Sequence, residues 1–481
     1  MHRRISLLGV GVAVCAAGCP TRDISKLDPA PAIEYRQDIP VSTNRNVDIL
    51  FVIDNSDSMA GEQRSLAANF PRFIDVLNTI EGGLPNVHIG VISSDVGINP
   101  FSAEQCANDG DNGLLQNTPR CLPAPGQTTC TPTCVGPRGR YIEDVAMGAV
   151  RQRNYDGDLD DVFACIAQLG VSGCGIEQHL ESMRRALNGS DSRNAGFLRS
   201  EAYLAVIILA DEDDCSANDT QVFNPLMELD NISSIYGPFA SYRCTEFGVL
   251  CDGATLPRVA ADYQNCVPRG DSYLRHPNDY VNFLRDLKGN PNLLVTAIIA
   301  GPPKPTGVTF TTSGALKLKP SCSVMVGNET SPADPGIRLK FFGDQQGLQN
   351  TFVSICQDDL SDAMEQIARL LKKVLGTFCI GGNLDTTDID SSTPGLQLNC
   401  SVADVQFPGQ SNAVETPMAR CDMSGPETPI TTTVPCWWTK SNPSKCLVAD
   451  SPTQTELVIE RGGNDPPIGT VVTASCVVSE N

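Results

Sequence analysis

The chain has 481 residues, a formal net charge of -21 and a hydrophobic content of 41%. A chain of this length can bury a substantial core and should form more than one domain. The negative charge argues against nucleic acid as a partner, because phosphates select basic surfaces. It also disfavours direct docking on anionic lipid and is compatible with cation binding.

The first residues have the pattern of a bacterial export signal. A basic start precedes an apolar stretch and small residues, which predicts a signal peptide over 1–18. Residues 16–19, AAGC, resemble a lipobox, and this resemblance implies that Cys19 carries a lipid, although Ala16 stands where leucine is more usual. The alternatives are an ordinary signal peptide cut nearby and an uncleaved anchor, but the apolar stretch is short for a membrane span. We therefore expect an exported protein, anchored by its lipid at the outer membrane or cell surface, with no other membrane contact.

The number and distribution of cysteines favour an oxidising compartment. Twelve of the 20 cysteines lie between Cys106 and Cys356, and six lie between Cys379 and Cys476. Both counts are even, which is expected if each domain closes its own disulfides. A zinc site at Cys130 and Cys134 lacks a second close pair of ligands, so structural disulfides are favoured. The pairing cannot be read from the spacing.

Apolar runs alternate with helical spacings from residue 47 to residue 376. In chain order the pattern predicts strands at 47–54, 87–93, 203–211 and 293–300, and helices at 62–77, 159–169, 176–187, 278–287 and 358–376. Long excursions rich in Cys, Pro and Gly interrupt it. Strands that alternate with helices imply a parallel sheet covered on both faces. We therefore expect an α/β fold with a doubly wound, mostly parallel sheet and disulfide-rich insertions.

Composition divides the rest of the chain into two further parts. Residues 19–46 are polar and contain several prolines, as in a tether between a lipid and a folded domain. Residues 377–481 contain six cysteines and short β-like runs, which predicts a small disulfide-stapled β module. The predicted α/β domain lies between them, at 47–376.

One strand ends in a cluster of oxygen donors. The sequence VDILFVIDNSDSM at 47–59 is an apolar run followed by Asp54, Ser56 and Ser58. Ligands gather outside the carboxyl ends of parallel strands, and a carboxylate with two hydroxyls suits a hard cation such as Mg²⁺. The alternative is a strand-to-helix turn in which Asp and Ser merely cap the next helix.

This Asp-x-Ser-x-Ser pattern resembles the metal-ion-dependent adhesion site (MIDAS) of von Willebrand factor type A (VWA) domains. A second strand, YLAVIILAD at 203–211, ends in Asp211, and the resemblance implies that this acid closes the far side of the site. The third element of the family's site, a threonine, is absent from 170–179, so Ser172 and Glu177 are the candidates to replace it. The resemblance covers residues 47–376.

The resemblance implies a function in cation-dependent protein binding or adhesion. The cation is expected to be Mg²⁺, with Ca²⁺ and Mn²⁺ as alternatives, and an acidic side chain of a protein partner would complete its coordination. The rival hypothesis is an envelope scaffold whose metal site is incidental or lost. A hydrolase is favoured least, because catalytic motifs are absent and His179, near the suspected metal loop, is a single histidine. We therefore expect no enzymatic activity.

Overall fold

The computed structural model describes most of the chain from residue 34 onward. The predicted signal peptide, Cys19 and most of the predicted tether lie outside the described residues. These are 34–40, 45–80, 83–103, 106, 109–122, 133–147, 150–200, 202–225, 235–237, 240–270, 272–289, 291–312, 314–326, 329–376, 379–406, 413–443, 446, 451–462 and 470–479.

Seven helices are found within these ranges, and none is long and apolar enough to cross a bilayer. They are Ala60–Asn78 (α1), Leu159–Ile166 (α2), His179–Leu187 (α3), Ser241–Gly248 (α4), Pro277–Lys288 (α5), Ile337–Asp344 (α6) and Ser361–Gly376 (α7).

The same ranges contain 23 strands. They are Glu34–Pro40 (β1), Asn46–Ile53 (β2), Asn86–Ser93 (β3), Ile142–Met147 (β4), Val150–Arg153 (β5), Tyr203–Leu209 (β6), Val249–Cys251 (β7), Ala254–Thr255 (β8), Ala261–Tyr263 (β9), Cys266–Pro268 (β10), Leu294–Ala300 (β11), Thr306–Phe310 (β12), Leu316–Leu318 (β13), Cys322–Val326 (β14), Glu329–Ala333 (β15), Asn350–Ser354 (β16), Cys400–Gln406 (β17), Val414–Arg420 (β18), Asp422–Gly425 (β19), Thr428–Ile430 (β20), Cys436–Ser441 (β21), Thr455–Glu460 (β22) and Val471–Val477 (β23).

The largest sheet has seven strands in the order β16-β11-β6-β2-β3-β4-β5. The first five are parallel, and β4 and β5 are added antiparallel at the edge. All seven residues of β6 are buried, as are seven of the eight in β2. These strands are mostly apolar, with Asp48 as a buried exception in β2, because helices cover both of their faces.

Side chains alternate along the central strands between two apolar clusters. In β2, Ile49 and Phe51 face one cluster, whereas Leu50 and Val52 face the other. The first cluster includes side chains of α1, α2 and α7, and the second includes side chains of α3, α5 and α6. This two-sided packing holds the carboxyl ends of β2 and β6 in place.

The expected fold class, a doubly wound and mostly parallel α/β fold, is wrong for this chain. The described part of the chain is mixed, with 25% helix and 32% strand. Twelve of the seventeen strand pairings in the described ranges are antiparallel. The excursions treated as insertions form small antiparallel sheets of their own, namely β10-β7-β8, β13-β12-β9 and β14-β15. Their strands have two to five residues, which is too short for a periodic signal in the sequence.

A second large sheet combines the two ends of the described chain. Its order is β1-β23-β17-β18-β21-β22. Strand β1 lies within the predicted tether, yet it pairs with β23 over seven residues, from Glu34 opposite Val477 to Pro40 opposite Val471. Part of the predicted tether is therefore structured.

The prediction of disulfides is confirmed. Eight bonds are found in the described ranges, and none of them crosses the predicted boundary at residue 377. They are Cys106–Cys174, Cys134–Cys165, Cys215–Cys244, Cys251–Cys266, Cys322–Cys356, Cys379–Cys446, Cys400–Cys476 and Cys421–Cys436.

Candidate metal centre

The pairing of β2 with β6 brings the two predicted acids to one edge of the sheet. Ile53 is opposite Leu209 in this parallel pair, and the backbone N–H of Asp54 donates to the Leu209 carbonyl at 2.9 Å. Asp54 directly follows β2, and Asp211 lies two residues beyond the end of β6. Their positions follow from the register of two buried strands.

The carboxyl groups of Asp54 and Asp211 face each other. They lie within hydrogen-bonding reach, and their exposed fractions are 0% and 4%. Oδ2 of Asp54 and Oδ1 of Asp211 have no hydrogen-bond partner in the described part of the chain. Two ionised carboxylates in this arrangement repel each other at low dielectric, so the pair requires a proton or a cation.

The two serines complete this cluster. The N–H of Ser56 donates to Oδ1 of Asp54 at 2.8 Å, and the hydroxyls of Ser56 and Ser58 are 3.2 Å apart. The Ser58 side chain also lies beside the carboxyl group of Asp211. Ser56 precedes the short 3-10 helix Asp57–Met59 but makes no side-chain capping bond to it. The hydroxyls are therefore available as oxygen donors beside the acids.

The loop at residues 170–178 is held against the loop at residues 54–58 by hydrogen bonds. The side chain of Gln63, on α1, donates to the carbonyls of Asp54 at 3.0 Å and Gly170 at 2.9 Å. It also accepts from the N–H of Leu169 at 3.0 Å. Gln63 is fully buried, so these bonds are shielded from water. The sequence analysis did not identify this residue.

The structure distinguishes the two candidates for the missing threonine. Ser172 is exposed, whereas Glu177 is 1% exposed. The Glu177 carboxyl lies beside that of Glu212, and its Oε1 atom has no partner among the described residues. Glu177 therefore belongs to the same acidic cluster as Asp54 and Asp211, together with the partly buried Glu212, which the sequence analysis did not name as a ligand of this site.

Burial dominates the electrostatics of this cluster. It raises the pKa of the Asp54 carboxyl, and it raises the pKa values of Asp211 and Glu177 well above their usual range, assisted by neighbouring acids. The pKa of Glu212, which is partly buried, rises to about 8 for the same reasons. The cluster therefore favours protonated carboxyls near neutral pH unless a cation compensates their charge.

A buried histidine borders the acidic pair. His179 is the first residue of α3, is 0% exposed, and places Nε2 3.8 Å from Oδ2 of Asp54. Neither ring nitrogen has a hydrogen-bond partner within the described ranges. Burial lowers the pKa of the imidazole, which keeps the ring neutral. The sequence showed that His179 lies near the loop but not that it faces Asp54.

No family model matches this sequence, and no curated protein matches it either. Among solved structures, the chain is similar to the pilus adhesin RrgA from Streptococcus pneumoniae, with 9% identity and a TM-score of 0.25. The match covers 92% of this chain and 57% of that one, so the chain spans less than two thirds of that adhesin. A TM-score of this size carries no argument about fold or function, and the resemblance to VWA domains stays a prediction.

The acids that follow Asp211 have structural roles. Asp213 accepts hydrogen bonds from the N–H groups of Arg338 and Leu339 at the start of α6. Asp214 accepts from the Arg338 guanidinium at 3.0 Å and from the N–H of Leu180 at 3.0 Å. These carboxylates hold two helices against the loop.

The donors at the sheet edge fit a hard divalent cation. No group of three or more His, Cys, Asp or Glu side chains stands ready to hold a metal in the described part of the chain. A cation bound by Asp54 and Asp211 could take further ligands from the hydroxyls of Ser56 and Ser58 and from water. Such a ligand set is usual for Mg²⁺, which keeps several of its waters.

Proposed function

We propose that this chain binds another protein through a divalent cation held by Asp54 and Asp211, with Ser56 and Ser58 as further donors. The observation that carries the proposal is the buried carboxyl pair, in which one oxygen of each acid has no partner among the described residues. A divalent cation would replace the shared proton and neutralise both charges. The resemblance of residues 54, 56, 58 and 211 to the VWA adhesion site supports the same role.

The exposed residues beside the pair offer a route for an outside ligand. Asp54, Ser56 and Asp211 are buried, but Asp57 and Ser58 are exposed, and Glu212 is partly exposed. A partner group would therefore approach from the side of Ser58. The bound cation keeps open positions, which a carboxylate of the partner can occupy.

The surplus of acids makes this recognition depend on the cation. Without it, the protonated carboxyls offer an approaching carboxylate no positive charge, and any of Asp54, Asp211 and Glu212 that ionises repels it. With it, the same carboxylate becomes a ligand. Metal removal should therefore abolish binding instead of merely weakening it.

The proposed place of action is the bacterial cell surface. Export and a lipid on Cys19 are predictions from residues outside the described ranges. The eight disulfides support an oxidising compartment, since such bonds are rare in a reducing cytosol. A surface-anchored protein with an open cation site suits adhesion to a second cell or to an envelope component.

Calorimetric titration of Mg²⁺, Mn²⁺ and Ca²⁺ into the purified protein tests the cation, with Asp54→Asn and Asp57→Asn as the compared variants. Asp57 is exposed on the same loop, so its variant controls for the loss of one negative charge. We expect binding heat in the wild type and in Asp57→Asn, and none in Asp54→Asn. Equal heats in all three proteins would defeat the proposal.

Capture of partners from envelope fractions, with and without EDTA, separates adhesion from the scaffold hypothesis. A cation-dependent adhesin loses its partners on chelation and regains them when the metal is returned. A scaffold keeps the same partners in both conditions.

A further inference from the structure

His179 is buried without the hydrogen bonds that a buried histidine normally makes. Its ring is 0% exposed, and neither Nδ1 nor Nε2 has a partner in the described part of the chain. Buried polar groups in native proteins are nearly always paired, with protein, water or an ion. The ring therefore indicates a missing partner at this position.

The contrast with His88 shows what a paired histidine looks like in this protein. His88 is also buried, at 6% exposure, and its Nδ1 lies 2.8 Å from the Phe197 carbonyl. It lies on β3, where its register partner is Asp48 of β2. These contacts give His88 a structural role. The described residues provide no such contact for either nitrogen of His179.

We propose that Nε2 of His179 is a ligand of the cation held by Asp54 and Asp211, and that this nitrogen makes the site select Mn²⁺, Co²⁺ and Zn²⁺ over Mg²⁺ and Ca²⁺. The inference rests on the proposed function and names the class of cation that the site takes. Glu177 and Ser172 were the expected replacements for the missing threonine, and His179 is a third.

The position of the ring agrees with this role. Nε2 lies 3.8 Å from Oδ2 of Asp54, and both atoms are unpartnered within the described ranges. Two ligands at roughly 2.1 Å from one ion are separated by about 3 Å when adjacent and about 4 Å when opposite. The ring therefore needs to move by roughly 1 Å or less to share an ion with Asp54.

The donor chemistry decides the preference among cations. Carboxylates, hydroxyls and water are suited to Mg²⁺, Ca²⁺ and Mn²⁺, whereas an imidazole favours transition metals. A neutral imidazole offers the lone pair that coordination needs. Adding one nitrogen to two carboxylates should therefore favour Mn²⁺ over Mg²⁺ by about tenfold or more.

Pulsed electron paramagnetic resonance of the Mn²⁺-loaded wild-type protein tests the ligand directly. We expect a nitrogen-14 coupling to the Mn²⁺ electron spin, which changes to the nitrogen-15 pattern when the histidines are labelled with nitrogen-15. The coupling should disappear in His179→Gln and persist in the matched control His88→Gln. Because the first measurement uses the wild type, a folding defect in either variant does not affect it.

Competition between Mn²⁺ and Mg²⁺, followed by calorimetry, tests the selectivity. We expect His179→Gln to lose most of the roughly tenfold preference for Mn²⁺ while its Mg²⁺ affinity changes by less than about threefold. Mn²⁺ binding without nitrogen coupling would overturn this inference and leave the proposed function intact. If no cation binds the wild type, both the inference and the proposed function fail.

Discussion

The carboxyl groups of Asp54 and Asp211 face each other at the edge of the seven-stranded sheet, and each keeps one oxygen without a partner in the described ranges. Burial removes the water that would otherwise separate their charges. The pair is therefore stable with a shared proton or with a cation, and unstable when it is ionised and empty.

Replacing Asp54 by asparagine should remove the stabilisation that a divalent cation gives to the wild type. Asparagine keeps an acceptor for the N–H of Ser56, so the loop should hold its shape. At a cation concentration about 100 times the dissociation constant, the wild type should gain about 2.7 kcal/mol, or roughly 3–5 °C in melting temperature. Asp54→Asn should gain nothing, and Asp57→Asn should behave as the wild type. A cation-induced shift of wild-type size in Asp54→Asn would show that the ion binds elsewhere.

Stability in the presence of EDTA should fall as the pH rises from about 5 to about 8. The folded-state pKa values of Asp54 and Asp211 are raised by burial, and that of Glu212 is raised to about 8. A raised pKa means that the protonated form stabilises the fold at low pH and that this contribution is lost as the pH passes through the folded-state value. Thermal melts across this range should show the fall in EDTA, and a saturating cation should reduce it, since the ion replaces the protons. A steeper fall with the cation present than without it would contradict the assignment.

Gln63→Ala should destabilise the region around the cation site. The side chain joins three backbone groups, those of Asp54, Leu169 and Gly170, and all three would lose a buried partner. We expect the free energy of unfolding, measured by urea denaturation, to fall by about 2–4 kcal/mol. Cation binding should also weaken, because the loops at 54–58 and 170–178 are no longer held together. Asn69→Ala is the control on the same helix, since Asn69 is only partly buried and bonds within the helix to Ser65. If both changes lower the free energy of unfolding by the same small amount, Gln63 does not hold the two loops together.

Removing the disulfide Cys106–Cys174 should lower cation affinity as well as stability. Cys174 lies in the loop that carries Glu177, so the bond restricts the movement of that loop. Replacing both cysteines by serine should cost about 2–4 kcal/mol and weaken cation binding measurably. The control is the same change at Cys421 and Cys436, whose bond lies in the six-stranded sheet region. That variant should lose stability in the six-stranded sheet and keep its cation affinity. Unchanged cation affinity after removal of Cys106–Cys174, with lower affinity in the control, would contradict the role of the loop.

The sequence located the central acids because their positions depend on a strong local signal. Asp54 and Asp211 each follow a buried apolar run. The carboxyl ends of neighbouring parallel strands such as β2 and β6 lie at the same edge of the sheet. Gln63 and His179 carried no such signal, since their roles depend on which way a helical side chain faces. The choice between Ser172 and Glu177 likewise required the path of the loop, which no spacing determines.

The fold class was predicted less well than the central strands, for a physical reason. Long apolar strands such as β6 and β11 are visible because burial on both faces excludes polar residues. Strands such as β8 and β13 have two or three residues and alternate too briefly to be recognised. Strand β1 was assigned to a tether because its partner, β23, lies at the other end of the chain. Pairing over such a distance leaves no local pattern.

Deleting residues 34–40 should therefore destabilise the six-stranded sheet selectively. Strand β1 covers β23 along all seven of its residues, and its removal would leave the backbone of β23 as an open edge. The two tryptophans of the chain, Trp437 and Trp438, both lie on β21 of the same sheet, so tryptophan fluorescence reports on this region alone. We expect the fluorescence midpoint in urea to fall and amide hydrogen exchange over 471–477 to accelerate, while cation binding at Asp54 is unchanged. If the fluorescence transition and the exchange rates of β23 stay at their wild-type values, β1 contributes nothing to the sheet and the original assignment of this segment to a tether would be restored.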